Sequence, residues 1–149
     1  MSTNVRQALH NAITTASSVT SLLADGANGV YLAGRVSPST RMPCIGIRHA
    51  GRSGGPRRLP NFIDTYFLYV YDRAPAAQAV SFVNIDSIMG ALRQVVHGAS
   101  LTVDTHQERV FECHMEGLDS PDMWDEQLEM VYKFVRVRIE GIYLYDYRS

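Results

Sequence analysis

A chain of 149 residues, 46% hydrophobic and 19% charged, has the size of one domain and enough apolar material to bury a core without disulfides or metals. No apolar run reaches eighteen residues, and the first residues lack the basic stretch and apolar block of an export signal. The expectation is therefore one unexported domain over 1–149 with no membrane span. The net charge of −1 hides an asymmetry, because residues 1–60 carry seven arginines against the single acid Asp25, a net +6, leaving −7 for residues 61–149. Such a split points to a polarised surface that meets nucleic acid or the opposite face of a neighbouring copy.

From Val5 to Leu23 the apolar residues Val5, Ala8, Leu9, Ala12, Ile13, Ala16, Val19, Leu22 and Leu23 recur at helical spacing, which predicts a helix over 5–23. Ser2, Thr3 and Asn4 offer capping oxygens, Gln7 stands three residues after Asn4 in a loose capping box, and Asp25-Gly26 supplies a stop. Gly29 to Leu32 reads as a short strand, and Pro43 to His49 opens another. Gly51 to Pro60 holds three glycines, two prolines and three arginines and has almost nothing to bury. It is expected to be a flexible basic hairpin loop, so that replacing Arg52, Arg57 and Arg58 by Ser leaves melting nearly unchanged.

Ile63 to Asp72 is a β-rich run that is bulky on both alternating faces. Pro75 opens a second predicted helix over 76–97, with Val83, Ile85, Ile88, Met89, Leu92 and Val96 in its apolar stripe and Gly98 as its end. Two long strands follow, Leu101–Met115 and Gln127–Ile142, separated by a loop over 117–126, and residues 142–149 form an aromatic tail. The expected fold is α+β: an antiparallel or mixed sheet of about four to five strands with two helices on one face. Two helices cover one face only, whereas strands 63–72 and 128–139 carry aromatics on both. The second face therefore predicts an oligomer, with Tyr66, Tyr132 and Phe134 as the apolar subunit interface.

Catalytic and cofactor signatures are absent from the pattern. The glycines at 51–55 lead into Pro56 and two arginines rather than into Lys-Ser/Thr and a helix, so they do not form a phosphate loop. His106 and His114 lie roughly 26 Å apart along an extended strand, too far to share a metal ion. Cys44 and Cys113 sit in apolar strand patterns and are expected to be reduced, buried thiols. No catalytic residue, metal or cofactor is assigned. Glu108, Glu112, Glu116, Asp119, Asp122, Asp125, Glu126 and Glu129 lack the spacing of a calcium loop and read as an acidic surface facing solvent or a partner. Arg48, Arg52, Arg57 and Arg58 form the complementary basic candidate, facing a partner protein, a lumen or the phosphates of passing DNA.

The pattern resembles the tail-terminator or tail-completion proteins of long-tailed bacteriophages across roughly residues 3–140. The resemblance rests on the leading helix closing at Leu22-Leu23-Ala24-Asp25-Gly26, on Gly29-Val30-Tyr31, and on Pro43-Cys44-Ile45-Gly46-Ile47. It continues in the strand Thr65 to Asp72, followed by a helix with Ile85-Asp86-Ser87-Ile88 and Ala91-Leu92-Arg93. It implies a non-enzymatic virion subunit, assembled in the host cytoplasm and commonly hexameric. Such a subunit stops tail-tube polymerisation and docks head-completion proteins, so its expected partners are itself, the tube protein and a neck protein. Loop 51–60 and the tail 142–149 depart from the pattern. Other readings of the same residues are another neck component, such as a head-tail connector or minor capsid protein, and a small-ligand-binding α+β module. The opposite charges would suit a ring in which the basic first 60 residues of one copy meet the acidic 104–129 region of the next.

Overall fold

The computed structural model describes residues 4–32, 36–37, 39–54, 61–74, 81–103 and 108–143. Helix α1 spans Val5–Thr14, and the side chain of Asn4 accepts a hydrogen bond from the Gln7 backbone N–H at its start. The capping box is only half made, because the Gln7 side chain runs forward to Asn11. The predicted helix over 5–23 is also broken. Thr14 and Thr15 turn their hydroxyls back onto the Asn11 carbonyl, a competition that weakens helix interiors. Ala16 is extended, and α2 resumes for one turn over Ser17–Thr20.

Strand β1 (Val30–Tyr31) runs parallel to β2 (Cys44–Gly54), which pairs antiparallel with β3 (Asn61–Arg73). Helix α3 covers Val83–Val96. It starts later than predicted, since Ser81 and Phe82 are not helical and residues 75–80 lie outside the described set. Val83, assigned to the apolar stripe, stands at that first turn and is 71% exposed. The last three strands are β4 (Glu108–Glu116), β5 (Met123–Asp125) and β6 (Met130–Tyr143). The sheet order is β1-β2-β3-β6-β4, with β5 pairing farther along β6.

The class is α+β as expected, but the sheet has six described strands and is mixed, because β1 is parallel to its neighbour. The additional strand β5 lies where the sequence suggests only loop. The basic segment is also corrected at its start, since residues 51–54 belong to β2 and only 55–60 lie outside the described residues. No described helix is long and apolar enough to cross a membrane.

The core lies between α1, α3 and one face of the sheet. Leu9 and Ile13 from α1 and Ile85, Ile88 and Leu92 from α3 close over Ile47, Leu68, Val135, Val137 and Ile139, all buried. The strand period of two sends these residues to one side and their neighbours to the other. Packing is tightest at Gly141, where a Cβ atom would meet the Phe62 ring and stand 2.6 Å from the Arg109 carbonyl oxygen. Only glycine lets β3, β6 and β4 approach this closely.

Candidate functional site

The face of the sheet turned away from α1 and α3 divides into a covered end and an open middle. At the covered end Cys44, Tyr71 and Met130 are buried beneath Val36, Met42 and Leu128. Burial there raises the Tyr71 hydroxyl pKa, with the neighbouring Tyr69 adding to it, and pushes the Cys44 thiol up to about 12 against a smaller opposing pull from Arg73. In the open middle Phe67 meets Phe134 edge to face, with centroids 5.7 Å apart at 89°, while Tyr69 stacks on Tyr71 at 5.9 Å and lies 5.2 Å from Phe134. Phe67, Tyr69, Tyr132 and Phe134 are all partly exposed.

This aromatic ladder runs into a charged band. Glu116 accepts from both Arg136 and Arg138 at 3.1 Å, and Arg138 also pairs with Glu140. Glu112 is held below its ordinary pKa, first by the hydrogen bond from His114 at 3.1 Å. The band is partly exposed, so solvent screens these pairs and they order the face more than they stabilise it.

Local chain geometry opens a groove here. Strands β4 and β5 pair with the same edge of β6, one ending opposite Arg136 and the other beginning opposite Tyr132. Between them the chain leaves the edge at Gly117, whose φ of 72° suits glycine. Ser120 serves the gap: its N–H donates to the Phe134 carbonyl at 2.8 Å, and its hydroxyl accepts from the Phe134 N–H at 2.9 Å. The excursion leaves a cavity of about 390 Å³ lined by Phe67, Phe134, Leu118, Pro121, Glu116 and Arg136.

The residues singled out in the sequence scatter. Arg48 lies on the open face, 3.4 Å from the Tyr69 hydroxyl. Arg52 lies on the helix side and binds the carboxylate of Asp64 through Nη2 at 2.6 Å and Nε at 3.0 Å. It is not a loose loop charge, so the expectation that its replacement is silent is corrected. Arg57 and Arg58 lie outside the described residues. Tyr132 and Phe134 share the open face, but Tyr66 is on the other, 3% exposed, because its register partner Val137 points into the core. As an interface residue it is corrected for that reason.

The acids likewise do not act together. Asp119 pairs with Arg93, Asp122 with Lys133 at 3.2 Å, and Asp125 accepts from the Leu128 N–H at 3.1 Å. Glu126 and Glu129 face solvent, and the side chain of Glu108 lies outside the described set. Among the described residues no group of three or more His, Cys, Asp or Glu is placed to hold a metal ion.

Sequence reasoning missed Asp64. It is 0% exposed, and His49 Nε2 at 2.9 Å and the Tyr66 hydroxyl at 3.4 Å complete its shell. Its parity with Phe62, Tyr66 and Leu68 was the available signal for an inward carboxylate. With Arg52 over the Phe62 ring at 4.0 Å, the cluster joins β2 to β3 beside the helix-covered core.

No protein-family model matches the sequence, and no curated protein matches it. Among solved structures, a chain of the virion of a native gene transfer agent particle superposes with a TM-score of 0.68. The two share one fold. The match covers 93% of this chain and 95% of the other at 12% sequence identity, so the likeness lies in backbone architecture with nearly every side chain replaced.

Proposed function

We propose that the protein is a non-enzymatic structural subunit of a phage-like virion, and within it a ring-forming tail terminator. In this role about six copies close a ring on the tail tube, stop its growth and offer a docking surface to a head-completion or neck protein, with DNA passing through the lumen. The observation that carries the reading is the two-way correspondence with a virion chain, covering 93% of this chain and 95% of the other. The half-exposed aromatic ladder supports it, since monomers rarely leave such a face uncovered. Fold alone does not assign function, and the bacteriophage resemblance read from the sequence supplies the position in the tail.

The test has two steps. Sedimentation velocity and negative-stain imaging of the purified protein are expected to show closed rings, and a monomer at high concentration counts against the reading. Added to polymerising tube protein, the rings are expected to arrest tube length. Rings that bind without arresting growth place the protein elsewhere in the neck.

A further inference from the structure

The protein has a single tryptophan, Trp124. It sits in the three-residue strand β5 and is 62% exposed, an unusual fate for the side chain that most often anchors interfaces. Its register partner is Val131, buried in the helix-side core, so Trp124 leaves the sheet on the helix side. The 390 Å³ groove over Phe67 and Phe134 opens on the other side, and it falls within the roughly 300–1,000 Å³ range of ligand-holding cavities.

Their charges are complementary. Asp122, which pairs with Lys133 at 3.2 Å, and Glu126 are both exposed and flank Trp124, with Asp125 beside it. Across the groove, Arg48, Phe67, Arg136 and Glu116 stand in one cross-strand row, and the guanidinium groups of Arg48 and Arg136 are exposed. Glu116 in that row is already engaged by Arg136 and Arg138.

From this placement we infer that Trp124 of one copy inserts into the Phe67–Phe134 groove of the next, with Asp122 and Glu126 facing Arg136 and Arg48. A knob and a groove on opposite sides of one sheet suit a head-to-tail contact, the kind that closes rings. The inference rests on the ring reading above and names the contact that builds the ring. Aromatic burial supplies the adhesion, and the charges set its register.

The lone tryptophan reports on its own site. On raising protein concentration through assembly, its emission is expected to shift to the blue and acrylamide quenching to fall several-fold. Trp124→Ala, at an exposed position, is expected to keep the monomer's melting temperature and to weaken assembly on the order of 30-fold or more. Arg136→Glu is expected to weaken assembly, and adding Glu126→Arg to restore it. Rings whose tryptophan stays freely quenchable, and that tolerate Trp124→Ala, overturn this contact while leaving the ring intact. A wild-type protein that stays monomeric overturns the ring reading and the contact together.

Discussion

The two faces of the sheet use the same strands and nearly the same residue classes, yet they meet different fates. On the helix side Leu68, Val135, Val137 and Ile139 are sealed by α1 and α3, and the charged residue buried there among the described residues, Asp64, is bound by His49, Arg52 and Tyr66. On the other side Phe67, Tyr69 and Phe134 remain partly exposed and merge with a band of partly exposed ion pairs. A sealed face must satisfy every polar atom internally, because water cannot, whereas an open face tolerates loose pairs. The closed face accounts for stability, and the open one is left available for association.

The largest expected effect breaks the closed face at its charge. Arg52→Ser leaves the buried Asp64 carboxylate without its guanidinium, and removing the partner of a buried charge typically costs about 3–5 kcal/mol. Asp64→Ala should cost less, because Arg52 reaches solvent and keeps its contacts with Tyr143 and Phe62. Urea unfolding of both variants checks it, and a silent Arg52→Ser would return this residue to the status of a loop charge.

Truncating one apolar residue on each side sharpens the contrast. Ile88→Ala on the helix side should lose about 2–5 kcal/mol, through lost burial plus the cavity left behind. Phe134→Ala on the open side removes more atoms but should lose less, about 1–2 kcal/mol, because part of its area already faces water. Equal losses would mean that the open face is packed in the monomer.

The cysteines probe both sides without mutation. Burial pushes the thiols of Cys44, beneath the loops, and Cys113, beneath the helices, up to about 12. The reactive thiolate is therefore scarce on both faces at pH 8. Alkylation of the folded protein should be slow at both sites and reach two labels per chain in urea, read by mass spectrometry. Fast labelling of Cys44 alone would show that the loop cover over Tyr71 opens.

The smallest effect concerns Glu112, whose pKa is depressed in the folded protein by His114. A depressed carboxylate contributes stability above its unfolded value and loses it as pH falls through the lower folded one. Because the group is fully exposed and screened by salt, Glu112→Gln should hardly move the melting temperature. An NMR titration should nevertheless place the Glu112 midpoint below that of the unfolded chain.

Much of the frame is legible in the residues themselves. Helical spacing marks Val5, Leu9 and Ile13, β-rich composition marks Ile63 to Asp72, and the positions of glycine and proline mark most element ends, since these depend on contacts within a few residues. The break at Thr15 was not legible, because hydroxyl back-bonding onto the Asn11 carbonyl competes with periodicity, and no residue type marks Ser81 and Phe82 as lying outside α3. Strand β5 was hidden for another reason: three residues carry no period, and they become a strand only because β6 offers an unpaired edge.

The site was less legible than the fold. Composition identified acids, arginines and aromatics, and alternation placed Tyr132 and Phe134 together, but sequence distance says nothing about which face a partner occupies. Sequence alone determined that two helices could not cover both faces of an aromatic sheet. Tertiary structure decided which aromatics were left over, that Tyr66 was not among them, and that Arg52 belonged to a buried carboxylate. Those outcomes depend on register across strands and on the layer packed against each face, which are relations between residues far apart in the chain.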